Sequence, residues 1–325
     1  MEVWKSTMED MGLRVLVTGG TGFIGSNLIE NLLNRDCEVY ALIRKESSIG
    51  FKRLEKFENL RYIYVDDIFK QNLKQKIFFP QFDVCFHLAA YGVDYRQQDI
   101  NQIIDGNIKF TLKVLSFCKR NKTKKVINTG SCFEYGINNN EKLKENSNLN
   151  PQTYYSICKV ASEKIANLYC KNNNMKIITV RPFGVFGEGE GLHRFVPQIV
   201  RGIILDKDIK MTLGEQVRDY LYIKDLTDAY IKLALSDVPQ YEAYNICSSK
   251  EIKIKDIPLR LAKVIDCNVD LFKFGKLPYR EKEIMYFVGD NSKIHKYTGW
   301  EPKYSIEKGL KNTYEWYKSN LEDLL

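Results

Sequence analysis

The sequence has no run of about 18 uncharged apolar residues, so no membrane-spanning helix and no membrane partner are expected. Its eight cysteines form no C-x-x-C pair, which argues against a zinc site or a redox dithiol; no metal is expected. Cys37, Cys85, Cys118, Cys132, Cys158, Cys170, Cys247 and Cys267 are scattered, mostly in apolar surroundings, as suits buried free thiols of a cytoplasmic protein. The opening MEVWKSTMEDMG mixes charges and lacks the apolar centre of a secretory signal; residues 1–12 read as a loose extension. Internal repeats and long low-complexity segments are missing as well. The net charge of +8 is spread over lysines mixed with Asp and Glu, clustering only at Lys122, Lys124 and Lys125. That pattern fits solubility or an anionic small-molecule substrate, and no nucleic-acid partner is expected.

What is present is an alternation. Short β-branched runs at Arg14–Val17, Glu38–Ile43, Leu60–Val65, Val84–His87, Lys125–Thr129 and Lys176–Val180 read as strands. Helical patterns near Ser26–Asn34, Asn101–Lys119 and Tyr154–Lys171 lie between them. Such spacing predicts an α/β fold: a doubly wound parallel sheet with helices on both faces and ligands at the carboxyl ends of the strands. Residues 13–183 are taken as a dinucleotide-binding domain. Residues 184–325 are taken mainly as a smaller α/β substrate lobe, with segments such as Ala243–Cys247 returning to the sheet.

The first strand runs into VTGGTGFIGSNL, with Gly19, Gly22 and Gly25 three residues apart. One glycine permits a tight turn, the next lets backbone approach a pyrophosphate, and the third lets the following helix pack closely; the helix N-terminus offers free N–H groups to phosphate. This is a Rossmann-type dinucleotide signal. The second strand ends in Arg44 and Lys45 where an NAD site usually carries an acid. A guanidinium suits a 2′-phosphate, so NADP is preferred with NAD as the alternative; otherwise Arg44 is a solvated loop cation.

TYYSICKVASEK places Tyr155 and Lys159 one helical turn apart, where an ammonium lowers the phenol's pKa. Ser131, at the end of the strand in VINTGSCFEYG, offers a hydroxyl for the same substrate oxygen. Beside a nicotinamide, Ser131, Tyr155 and Lys159 make a catalytic site for carbonyl/alcohol redox chemistry.

With HLAA at His87–Ala90, the Tyr135–Gly136 pair and VRPFGVFG at Val180–Gly187 in order, the chain resembles the extended short-chain dehydrogenase/reductases acting on nucleotide sugars, over roughly residues 13–318. The resemblance implies that Gly19, Thr21, Gly22, Phe23, Ile24 and Gly25 cradle the cofactor phosphates. It implies that Asp67 and Ile68 hold the adenine, that Leu88, Ala89 and Ala90 line the ribose with Asn107 bracing that strand, and that Pro182, Phe183 and Val185 position the nicotinamide. In GEQVRDYLYIKDL and PYREKEIMYFVGD, Arg218 and Arg280 correspond to clamps on a sugar-nucleotide diphosphate; the bland alternative pairs Arg218 with Asp219 or Asp225.

The C-terminal half is most similar to 4-ketoreductases of the CDP-abequose synthase and dTDP-4-keto-6-deoxyhexose reductase type, which make deoxysugars for bacterial surface polysaccharide. The resemblance implies NADPH-dependent reduction of a C4 ketone, with Tyr155 as proton donor, in a homodimer paired through the two long helices; Ile104, Ile108, Leu112 and Leu115 mark an apolar stripe on the first. A 4,6-dehydratase carries an Asp-Glu pair where this chain has Cys132 and Phe133, so elimination of water lacks its acid and base. The family's Asn is replaced by Gly184. Cys132 and His193 invite comparison with the combined epimerase/reductase of GDP-fucose synthase type, but Cys132 is one residue and His193 a few residues out of place. An NAD-dependent 4-epimerase stays open, and the nucleotide base and C4 stereochemistry are not fixed.

Overall fold

The computed structural model describes residues 12–45, 51–69, 79–94, 96–137, 141–281 and 283–324. The expected N-terminal extension lies, but for Gly12, outside them. The alternating segments form strands β1 (Arg14–Thr18), β2 (Glu38–Ile43), β3 (Arg61–Tyr64), β4 (Val84–His87), β5 (Lys125–Thr129) and β6 (Lys176–Pro182), with β7 (Ala243–Ile246) added from far down the chain. Their order is β7-β6-β5-β4-β1-β2-β3. β1 pairs in parallel with both β2 and β4, so the chain winds one way through β2 and β3 and the other way through β4, β5 and β6. The switch point between β1 and β4 is where such sheets bind ligands.

The helices are α1 (Phe23–Leu33), α2 (Val65–Phe69), α3 (Ile100–Ile104), α4 (Phe110–Asn121), α5 (Tyr154–Asn172) and α6 (Ile223–Leu235), with four further helices at Phe195–Ile204, Asp256–Ile265, Ser292–Thr298 and Ile306–Leu324. The helix expected over Asn101–Lys119 is interrupted by a π turn, Asp105–Lys109. The expected apolar stripe splits accordingly: Leu115 is fully buried, while Ile104, Ile108 and Leu112 are half-buried. Among the described residues no helix is long and apolar enough to cross a membrane.

Because both faces of a parallel sheet are covered, its strands are apolar almost throughout. Leu16, Cys85, Val126 and Ile177 pack with Val114, Leu115 and Cys118 of α4 and with Ala166 and Cys170 of α5. Six of the eight cysteines are buried; Cys37 and Cys267 are half-buried. All five residues of β5 are buried, including Lys125. Its ammonium donates to the carbonyls of Leu233, Ala234 and Ser236, at 3.0, 3.2 and 2.6 Å. These carbonyls end α6, where a cation meets the negative end of the helix.

The chain forms two compact units. The first comprises residues up to Gly136, Asn148–Arg181 and Thr227–Tyr244; the second comprises Ile137–Ser147, Pro182–Leu226 and Asn245–Leu325. Ile137–Ser147, expected with the dinucleotide-binding domain, falls in the second because Leu143 bridges to Gly289, exchanging backbone hydrogen bonds with Val288 and Asp290 at 2.9 Å each. The second unit also holds a parallel pair of short strands, Gly184–Phe186 with Tyr220–Tyr222, and a three-stranded patch in the order Ile252–Lys253, Val217–Arg218, Tyr286–Phe287.

Candidate active site

At the carboxyl end of β1, Gly19 has φ +71°, and a Cβ there would lie 2.7 Å from the Ala89 backbone nitrogen. A Cβ on Gly25 would lie 2.2 Å from the Gly19 carbonyl oxygen. The loop is therefore bare for two geometric reasons, a left-handed backbone and direct helix-to-turn contact. α1 begins at Gly22 with no side-chain cap and no acid in its first turn. Phe23, Ile24 and Gly25 thus form an N-terminus suited to phosphate. Thr21 is half-buried, and Arg53, which the sequence reading missed, donates to its carbonyl at 3.3 Å. Arg44 follows β2 and is exposed; Lys45 lies 5.4 Å over the Tyr64 ring. Asp67 is half-buried and Ile68 buried on α2. These residues fit a dinucleotide: an uncapped helix, a turn of three glycines and Thr21, and cations beyond β2.

Leu88, Ala89 and Ala90 follow β4, next in the sheet to β1. Asn107 holds their loop rather than the strand, its amide donating to the Tyr91 carbonyl at 2.6 Å and to that of Ile103 at 2.8 Å. Behind them, Ala89 N–H donates to Thr18 Oγ1 at 3.1 Å, which lies 2.7 Å from His87 Nδ1; His87 Nε2 lies 2.9 Å from Thr111 Oγ1, which donates to the Asn107 carbonyl at 2.7 Å. With the Thr111 proton committed to that carbonyl, the network assigns the proton of a neutral His87 to Nε2. Burial depresses His87 to about 3.

β5 ends beside β4 and delivers Ser131, the cap of a 3-10 turn at Cys132–Glu134; its Oγ accepts from Phe133 N–H at 3.2 Å. α5 starts at a capping box of Thr153 and Ser156, so Tyr155 and Lys159 stand in its first two turns. Ser131 stands against Tyr155, where its hydroxyl opposes the rise in the phenol's pKa, and Lys159 Nζ lies 5.9 Å from the Tyr155 ring centre. The three residues are thus brought together within the first unit. The expected lowering of the phenol is corrected, however. Desolvation raises Tyr155 above its ordinary value, with the Ser131 hydroxyl opposing. Lys159 instead points its ammonium at the Thr129 carbonyl, 2.6 Å away, and burial pulls it down to about 8. The phenol is held protonated, the state of a proton donor.

Beneath Ser131 lies a buried charge network that the sequence reading did not find. Glu134 accepts from Ser131 N–H at 2.7 Å and from Arg181 Nε at 2.8 Å. Arg181 also donates to Glu163 at 2.8 Å and to the Tyr135 hydroxyl at 3.0 Å.

In the second unit, Pro182 and Phe183 are buried and Val185 is half-buried. Gly184 has its own physical reason, since a Cβ there would lie 2.5 Å from the Asp219 carbonyl oxygen. Arg218 turns away from Asp219 and pairs with Glu283 at 2.6 Å. Asp219 instead accepts from Ser248 N–H and Oγ–H, at 2.7 Å each, and from Ser249 N–H at 2.9 Å. Asp225 caps the backbone at Lys303 and Tyr304. Arg280 is exposed, and its carbonyl accepts from Glu283 N–H at 3.1 Å, so both arginines meet the same turn. Glu190, also missed, is pushed up to about 8 by burial beside Arg194.

Residues 15–247 match the family described as NAD dependent epimerase/dehydratase. The chain is 30% identical to an uncharacterized protein of Methanocaldococcus jannaschii, over 96% of this chain and 98% of that one. It is 27% identical to the CDP-abequose synthase of Salmonella typhimurium, over 91% and 95% of the two chains. Among solved structures, the UDP-N-acetylglucosamine 4-epimerase of Methanobrevibacter ruminantium, in complex with UDP-N-acetylmuramic acid, superposes with a TM-score of 0.84 at 27% identity, covering 95% of this chain and 99% of that one.

Proposed function

The chain belongs to the NAD dependent epimerase/dehydratase family, and from that premise we propose that it is an NADPH-dependent reductase of the C4 keto group of a nucleotide-linked 4-keto-6-deoxy sugar, serving deoxysugar synthesis for a bacterial surface polysaccharide. The observation that carries this reading is Tyr155 held protonated by burial beside Ser131, with Lys159 one turn on. When bound, the reduced nicotinamide supplies hydride. Tyr155 gives its proton to the carbonyl oxygen as that oxygen becomes an alkoxide. Ser131 holds the oxygen, and Lys159 places positive charge under the phenol. Elimination of water has no support at this turn: Cys132 is buried and Phe133, 54% exposed, carries no acid or base. Arg218 and Arg280 hold the diphosphate, and the likeness to a CDP-abequose synthase supports the substrate class.

The test is a screen of dTDP-, CDP-, GDP- and UDP-linked 4-keto-6-deoxy sugars, following NADPH absorbance and product NMR. NADPH consumption with one of them is expected; none, with every candidate, overturns the reading. A 4-epimerase is the second reading, favoured by the match to the Methanobrevibacter enzyme. It requires Tyr155 to act first as a base and a retained NAD, so NAD carried through purification decides for it.

NADPH is preferred because Arg44 follows β2, exposed, and Arg53 reaches the Thr21 carbonyl of the glycine loop. Arg44→Asp is expected to weaken NADPH strongly and NADH little; titrations that weaken both alike remove Arg44 as the selector. The proposed homodimer rests on Tyr154, Ile157 and Leu168 of α5, which are 58%, 49% and 61% exposed. Light scattering at micromolar protein reads it directly.

A further inference from the structure

Ser131 and the Tyr155–Lys159 pair come from different elements, and Arg181 joins the two. Glu134 grips Ser131 through the backbone and Arg181 through Nε, while Glu163, one turn beyond Lys159 on α5, takes another nitrogen of the same guanidinium. Glu134, Glu163, Arg181 and Tyr135 are 0%, 3%, 2% and 0% exposed. Room for the Glu134 carboxylate is made by Gly130, where a Cβ would lie 2.5 Å from Oε1. The titratable groups around Glu134 are Arg181 from β6, Glu163 and Lys159 from α5, and the neutral phenols of Tyr135 and Tyr155; burial raises Glu134 itself to about 7, so it carries its charge through the alkaline range. Two cations face two carboxylates.

We propose that Glu134 is a positioning residue for the carbonyl chemistry: it fixes Ser131 by the hydrogen bond to its N–H, and its negative charge favours the proton on Lys159 and adds to the burial that keeps Tyr155 a neutral phenol. This rests on the reading of Ser131, Tyr155 and Lys159 as the reacting set. The charge has a direction that can be checked. Glu134 raises both Lys159 and Tyr155, so loss of its charge lowers both. Either group then loses its proton at lower pH, and the alkaline limb of kcat moves toward acid.

The experiment compares Glu134→Gln and Glu134→Asp with the wild type, using whichever sugar the wild type turns over. Glu134→Gln is expected to lower kcat roughly tenfold or more, leave KM within about threefold, and shift the alkaline limb down by about one pH unit. Glu134→Asp keeps the charge but is one methylene short. It is expected to lower kcat by displacing Ser131, with the limb where the wild type has it. A side chain that only holds the fold together does not produce that split. Limbs that coincide in wild type and Glu134→Gln overturn the electrostatic role. Wild-type kcat in Glu134→Asp overturns the positional one, and stands as the deciding measurement if Glu134→Gln does not fold. Failure of the reductase reading shows separately, in the wild type's own choice of substrate; Tyr155 and Lys159 must hold their protonation states in an epimerase too.

Discussion

Arg181 in the first unit is 2% exposed and lies between two carboxylates that are themselves buried; Arg218 in the second has a side chain 22% exposed and meets Glu283, which is 17% exposed. The same guanidinium chemistry therefore does two jobs. Around Arg181 all charges have left water together, and none can be exchanged without exposing another to a medium that cannot solvate it. Around Arg218 water still reaches both partners, so the carboxylate of Glu283 can give way to another anion at little expense. A fixed charge suits groups that must be held in place, and an exchangeable one suits a ligand that must come and go.

Removal of each arginine tests that contrast most severely. Arg181→Met leaves Glu134 and Glu163 buried without their cation and is expected to lose about 3–5 kcal/mol of stability. Arg218→Met is expected to lose less than about 1 kcal/mol. Equal losses in chemical denaturation at pH 7 would erase the distinction. Next in size, Tyr155→Phe is expected to keep cofactor affinity and lose at least ~10²-fold in turnover. Near wild-type turnover with chemistry rate-limiting would give the proton to another group. Arg218→Met should in turn raise KM for the nucleotide sugar roughly tenfold with kcat little changed; an untouched KM makes Glu283 its permanent partner.

At neutral pH the smallest effect concerns His87, buried like Arg181 but neutral, whose contribution shows only in acid. Its folded value of about 3 lies below the ordinary 6.5, so the unfolded chain binds more protons between those limits. Stability is full above about pH 6.5 and falls as pH drops toward 3, by at most about 1.4 kcal/mol per pH unit from this residue. His87→Asn should flatten that acid limb in denaturation curves collected across the window; an unchanged slope places the acid sensitivity elsewhere.

Local features were legible in the sequence. The glycine spacing, the strand edges of β2, β4 and β5, and the Tyr155–Lys159 turn each need only a few neighbouring residues. The buried network did not show, because Arg181 reaches Glu134 and Glu163 across 47 and 18 residues of chain and three separate elements. The suggested pairing of Arg218 with Asp219 failed for a geometric reason. Successive side chains along an extended backbone point to opposite sides, and Asp219 turns to the Ser248–Ser249 loop while Arg218 turns to Glu283. The phenol of Tyr155 was misjudged because desolvation, which depends on everything packed around a group, outweighs a neighbour one turn away.

The π turn at Asp105–Lys109 has an evolutionary consequence. It holds an extra residue rather than a special one, so no single substitution removes it, and a single deletion does. Losing one residue there would restore α continuity with Phe110 onward facing much as it does now, because the π turn already takes up the extra residue locally. Val114, Leu115 and Phe117 would keep their places in the core, and the loss would fall on the turn itself, where the Asn107 amide meets the Tyr91 carbonyl. The turn is thus a point where the chain can change its length without repacking its core.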